Sequence, residues 1–150
     1  MPIKPTIRPL TLTTQPAARE LILAGLAEHW GIIDPNLNPD VEDLASFYPD
    51  SIFVIKQNGE VLATGALAPI DQKTWQVVRM SVDKRYRRQG LGTMMLKHLI
   101  KTARQRGANR LILETTADWN ETRQFYRSAG FKFTHLRADD AYYELVIGKE

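Results

Sequence analysis

Between Tyr86 and Leu96 the chain reads YRRQGLGTMML. Arg87 and Arg88 carry permanently charged, planar donor sets that pair with phosphate oxygens. Gly90 and Gly92 allow a sharp turn and a close approach of backbone to a ligand. An apolar-periodic segment starts at once, so the turn opens a helix. The first N–H groups of a helix have no internal partner, and its dipole places partial positive charge there. With Gln89, Leu91 and the hydroxyl of Thr93, this is a combination that can cradle phosphate. It can also be a helix start that happens to contain two glycines. No Gly-Lys-Ser/Thr follows, and Met95 stands where a G-x-G-x-x-G fingerprint requires glycine.

The surroundings of the turn are basic. From Arg79 to Arg110 there are ten Lys/Arg and a single acid, Asp83, although the net charge of the chain is only +3. Such a stretch suits a polyanion, either a nucleotide-like cofactor or a nucleic acid, or it forms a solvated helix face. Nucleic acid is the weaker match, since no helix-turn-helix pattern occurs and the aromatics are not interleaved with the basic run. Glu114, in LILETT, is a carboxylate between Leu113 and two threonines. It must be solvated in a cleft or paired, with Arg79 and Arg110 as the candidates.

Other chemistries are excluded. There is no cysteine, and His29, His98 and His135 are widely separated without metal-ligand spacing, so no metal is expected. No apolar run approaches the roughly 20 residues that span a bilayer. The opening MPIKPTIRPL has no apolar signal-peptide core. These features imply a cytoplasmic, single-domain protein over residues 1–150 with no membrane partner.

The pattern along the chain supplies the elements that must position these residues. A short edge strand is expected within Ile3–Thr11. Thr14 is placed to cap a helix running to Gly31, with Pro16 in its first turn and Ala17, Leu21 and Ala24 on its apolar face. IIDPNLNPD is a loop, after which Asp40 caps a short helix through Phe47. Asn58-Gly59 joins two strands in a hairpin. TWQVVRMSVD is a further strand, with Trp75, Val77, Arg79 and Ser81 on one face. The helix after the glycine turn carries Met95, Leu96, Leu99, Ile100 and Ala103 inward and stops at Gly107. RLILETT is a buried strand. Asp118 and Glu121 have capping-box spacing before a helix closed by Gly130, and two alternating strands finish the chain. The strand–helix–strand crossover in the middle makes one parallel pair in an otherwise antiparallel sheet. The fold class is α/β in the mixed α+β sense, with about four helices flanking the sheet.

Arg87-Arg88-Gln89-Gly90-Leu91-Gly92 fits the pattern [Arg/Gln]-x-x-Gly-x-[Gly/Ala], follows VVRMSVDKRYR, and is succeeded further along by FYRSAGF. Together these resemble the GNAT superfamily of N-acetyltransferases, most closely from Val77 to Phe133. The resemblance implies that the glycine turn binds the pyrophosphate of acetyl-CoA. It implies that the preceding strand splays from its parallel neighbour, so that the backbone of Met80, Ser81 and Val82 pairs with the pantetheine arm and donates an N–H to the thioester oxygen. Tyr126 of FYRSAGF matches the tyrosine set near the thioester sulfur as a general acid; the other reading makes it an amphipathic core residue. Glu114 lies where a base would face the acetyl group, though deprotonation through water would need none.

Glu28, His29 and Trp30, ending the first long helix, fall in the region that the resemblance assigns to the acceptor; a histidine beside a tryptophan is also an ordinary packing residue. The acids Glu28, Asp34, Asp40, Glu42, Asp43 and Asp50 would attract a cationic amine or form a solvated loop. One departure concerns the asparagine that the family often carries seven residues before the tyrosine. Trp119 stands there, and Asn120, a weaker cofactor candidate, is rotated from that position by about 100°. The expected activity is acetyl transfer from acetyl-CoA to a primary amine on a small molecule, a lysine or a peptide N-terminus. The alternative is an acyl-CoA-binding regulatory module that transfers nothing. Neither a monomer nor a homodimer is selected by the sequence.

Overall fold

The computed structural model describes residues 4–31 and 38–148, with every side chain among them except that of His29. Ile3, Asp34 and most of the loop IIDPNLNPD lie outside the described residues. The elements are β1 (Thr6–Pro9), α1 (Gln15–Trp30), α2 (Pro39–Glu42), α3 (Leu44–Phe47), β2 (Ile52–Gln57), β3 (Glu60–Pro69), β4 (Thr74–Val82), α4 (Leu91–Gln105), β5 (Arg110–Thr116), α5 (Asn120–Ser128), β6 (Lys132–Arg137) and β7 (Asp140–Val146). The strands form a mostly antiparallel seven-stranded sheet in the order β1-β2-β3-β4-β5-β7-β6, with β4 and β5 as the parallel pair. The helices number five among the described residues, because the short helix expected through Phe47 is divided at Asp43, whose backbone (φ −148°, ψ 74°) is not helical. Contacts group the residues into two units, Met1–Leu67 with Arg79–Leu99, and Ala68–Val78 with Ile100–Glu150.

In the first unit, Asn58 and Gly59 are both left-handed (φ 51° and 80°), as a two-residue hairpin turn of matching twist requires. Ile52, Phe53, Val54 and Ile55 of β2 are all buried, so both faces of this strand are covered. Phe53 is paired with Gly65 across the sheet. α4 lies over that pair: His98 meets the Phe53 ring edge-on at 4.5 Å. A Cβ on Gly65 would stand 2.5 Å from Met95 Cγ and 3.1 Å from Leu99 Cδ1, so this glycine sets how closely α4 approaches the sheet. The apolar face expected for α1 is rotated. Ala18 and Ile22 are the buried positions, whereas Ala17 and Ala24 are exposed and Leu21 half-buried. The stretch LILAGLA is apolar around most of the helix, so its periodicity does not choose the phase. Thr14 does not cap α1 with its side chain. Its hydroxyl turns back to Thr11, accepting from the Thr11 N–H at 2.9 Å.

In the second unit, β5 pairs with β7 along its whole length, from Arg110↔Val146 to Thr116↔Asp140. Its parallel ladder with β4 covers only Thr74–Gln76 against Arg110–Ile112, although β4 runs on to Val82. Leu111, Leu113 and Thr115 are buried on one face, with Tyr126, Phe131 and Tyr143 in the same core. The expected capping box is not formed. α5 begins at Asn120 after Trp119, with no side-chain cap, which leaves Asp118 outside the capping position.

Gly65→Val is expected to lower stability by about 1–3 kcal/mol, because β-branched volume has to displace Met95 and Leu99. Urea denaturation of the two proteins, compared at equal m, measures it.

Candidate active site

β4 does not alternate to its end. Arg79 is left-handed (φ 54°), an uncommon state for a long side chain in a strand. Regular alternation over the face expected to carry Trp75, Val77, Arg79 and Ser81 is therefore interrupted at Arg79. Two groups hold this conformation. The guanidinium donates from Nε and Nη2 to the two oxygens of Asp40, each at 2.7 Å, and Nη2 also reaches Asn38 Oδ1 at 3.1 Å. The Arg79 carbonyl accepts from Thr64 Oγ1 at 2.8 Å. Asp40 also accepts from the Tyr48 hydroxyl at 2.7 Å.

Asp40 is thus neither a helix cap nor a solvated acid. It lies inside α2 and is 8% exposed. Asp43 does the capping, its Oδ1 accepting from the Ser46 N–H at 3.4 Å. Burial pushes the Asp40 pKa up, but hydrogen bonds from Arg79 and Tyr48 and the charge of Arg79 outweigh it and leave the carboxyl below the usual range. Tyr48 is pushed up to about 12, by burial first and then by its bond to Asp40.

Past β4 the chain turns through Asp83, whose carboxylate accepts from the Arg85 N–H at 2.9 Å and from Arg85 Nη2 at 3.0 Å. Hydrogen bonding to Arg85 holds Asp83 below its ordinary pKa. Arg88 (φ 64°) and Gly90 (φ 83°) then set the glycine turn. The Gly90 carbonyl accepts from the Met94 N–H at 2.9 Å, which puts Gly90 at the cap of α4. A glycine there has no side chain of its own to satisfy the first N–H groups of the helix. Leu91 is buried and anchors the turn, Gly92 is half-buried, and Arg88, Gln89 and Thr93 are exposed.

Arg87 is engaged on two sides, with Nε on the Val82 carbonyl at 3.2 Å and a bidentate pair to Glu28, whose Nη1–Oε1 arm is 2.9 Å. Exposed pairs of this kind are worth about 0–1 kcal/mol, so competing anions can exchange with them. Glu28, Trp30 (58% exposed) and the backbone of His29 end α1; the His29 side chain lies outside the described residues. Met80, Ser81 and Val82 are half-buried, and Gly25 of α1 faces Ser81.

In the second unit Tyr126 is buried in α5, between the rings of Phe125 (5.1 Å) and Phe131 (5.7 Å). Burial raises its pKa well above the ordinary tyrosine value, so the phenol stays protonated and able to donate. Glu114 is exposed on the face of β5 opposite Leu113. Its cross-strand neighbour is Tyr142, which is hydrogen-bonded to it and held above its usual pKa by that bond. The arginine pairing expected for Glu114 is not made: Arg79 is taken by Asp40, and Arg110 lies 3.6 Å from Glu144. Asn120 is the exposed first residue of α5. Among the described residues, no group of three His, Asp or Glu could hold a metal ion, and no helix is long and apolar enough to cross a membrane.

Residues 17–131 match the family model described as the acetyltransferase (GNAT) family. The chain belongs to this family. Among its curated relatives, the ribosomal protein bS18-alanine N-acetyltransferase of Escherichia coli is 34% identical over 98 residues, 65% of this chain. The GNAT chain spans 62% and 64% of the length of the bacterial relatives that it matches at 33% and 34% identity. A crystal structure of a GNAT acetyltransferase from Staphylococcus aureus superposes with a TM-score of 0.87 at 22% identity, covering 97% of this chain and 100% of that one. A structure of yncA from Salmonella typhimurium, with its cofactor acetyl-CoA, gives 0.77 at 18% identity, covering 98% and 96%. At these identities the two structures speak for the GNAT fold.

Three side chains of this site were missed from the sequence: Asp40 as a partner of Arg79, Tyr48 and Thr64. The only available signal was an arginine inside an otherwise apolar strand, which requires a buried partner somewhere. Asp40→Asn is expected to cost roughly 1–3 kcal/mol at neutral pH, since it leaves a half-buried guanidinium without its carboxylate. The folded-state pKa of Asp40 is depressed, so its contribution is present above the unfolded value of about 4 and is lost as the pH falls through the folded value. The stability gap between the two proteins should therefore close below about pH 4, in urea titrations run across pH.

Proposed function

We propose that this GNAT protein transfers an acetyl group from acetyl-CoA to a primary amine, on a small molecule or at a peptide lysine or N-terminus. The observation that carries the proposal is the glycine-capped start of α4, with left-handed Arg88 and Gly90 leading into the first N–H groups of the helix. That arrangement suits a pyrophosphate. The short ladder between β4 and β5 supports the second element of the reading, a donor arm paired with the backbone of Met80–Val82.

In the reaction, the amine nitrogen attacks the thioester carbon. A backbone N–H of β4 stabilises the oxyanion. The carbon–sulfur bond breaks, its electron pair leaves on sulfur, and the Tyr126 phenol protonates that sulfur. The amine's extra proton passes to water, with Glu114 as the side chain that could accept it. Glu28 and Trp30 border the acceptor in this proposal, and Asn120 is a peripheral donor contact. The whole chain acts as one catalytic domain in the cytoplasm, where coenzyme donors are held.

Calorimetry is expected to detect acetyl-CoA at sub-millimolar concentration and to give no comparable signal with duplex DNA. Absence of acetyl-CoA binding would sink the proposal. A panel of amines, scored by release of free coenzyme A, identifies the acceptor. With that acceptor, Tyr126→Phe should lower turnover by about 10²-fold or more while binding acetyl-CoA as before. An unchanged rate removes the acid role, and a chain that binds the donor but acetylates no amine is a silent binding module.

A further inference from the structure

We infer that Asp40 and Thr64 are positioning residues, which hold Arg79 left-handed and thereby turn a backbone N–H within Met80–Val82 toward the donor's thioester carbonyl. The inference rests on the donor reading above. A non-glycine residue at φ 54° costs about 1–3 kcal/mol and persists only where its surroundings over-determine it. Here they do so at both ends of the residue. The side chain is fixed by the two-pronged bond to Asp40, which is itself buried and tied to Tyr48. The main chain is fixed by Thr64, which has no exposed surface and donates to the Arg79 carbonyl.

Neither contact is needed to make a strand, because regular β4 would satisfy its backbone by ordinary pairing. Their effect is to impose a phase shift. Successive N–H groups of a strand point to opposite edges, so one irregular residue reverses the edge that each later N–H faces. The reversal comes immediately before Met80–Val82, and it comes after the ladder with β5 has ended at Gln76. The N–H groups that face away from β3 here are therefore free of that ladder. Asp40, 39 residues away in sequence, thus acts on the reaction only through the backbone conformation of Arg79.

The test uses the full chain and acetyl-CoA labelled with ¹³C at the thioester carbonyl. Bound to the unsubstituted protein, the labelled carbonyl should absorb at lower infrared frequency than free acetyl-CoA, because a hydrogen bond polarises it. In Thr64→Val, which keeps the size and loses the hydroxyl, and in Asp40→Asn, the band should return toward the free value. Calorimetric affinity, carried by the phosphates, should meanwhile stay within about threefold. Thr64→Ser should keep the shifted band. Arg79→Gly, for which positive φ carries no penalty, should keep more of the shift than Arg79→Ala. With the amine acceptor in hand, kcat of Thr64→Val should fall roughly 10- to 100-fold with little change in the KM for acetyl-CoA.

If Asp40→Asn does not fold, the Thr64→Val and Thr64→Ser pair decides alone. A band unshifted in the unsubstituted protein, or equally shifted in Thr64→Val, overturns the inference while leaving the donor reading intact. Failure of the unsubstituted protein to bind acetyl-CoA overturns both.

Discussion

A largely buried ion pair, Arg79 with Asp40, determines the shape of the central strand. Arg79 would pay for its left-handed backbone alone in any isolated strand, and a guanidinium taken from water without a partner costs more still. The Asp40 carboxylate answers the second cost through two 2.7 Å bonds, and in doing so locks the first. Because α2 carries Asp40 and β3 carries Thr64, three elements far apart in sequence converge on one peptide. The irregularity in β4 is therefore a property of the first unit as a whole.

The same unit contains a second constraint of close approach. Gly65 lacks the Cβ that would strike Met95, which lets α4 settle onto β3 and so determines where the N-terminus of α4 lies. Gly90, with φ 83°, then offers that N-terminus no side chain of its own as a cap. One glycine places the helix and the other starts it. Both effects come from an absent side chain, by close approach at Gly65 and by the lack of a capping group at Gly90.

Electrostatics add a different kind of control. Arg87 lies on the glycine turn, and it is bidentate to Glu28. Arg85, just before it, is bonded to Asp83. The basic stretch is thus partly neutralised by acids drawn from within and beyond it, and its solvent-exposed pairs are weak enough to exchange. Tyr126 in the second unit illustrates the opposite regime. Among aromatic rings its ionisation is suppressed, because burial disfavours the charged phenolate.

The local chemistry was legible in the residues themselves. The Asn58-Gly59 hairpin, the glycine turn into α4, the helix stop at Gly107 and the single parallel pair all follow from neighbours in the chain, because φ > 0 tolerance and apolar period are short-range properties. The chain's family was legible for the same reason, being carried by YRRQGLG and FYRSAGF. The phase of α1 was not, since a helix apolar on most sides buries whichever face its neighbours meet. Nor were the division at Asp43, the partner of Glu114, or the break in β4. Asp40 read as a cap from its position before a short apolar run, yet its carboxylate was claimed by an arginine 39 residues on. Which acid meets which base is decided only when the sheet brings distant faces together, and desolvation then makes the choice binding.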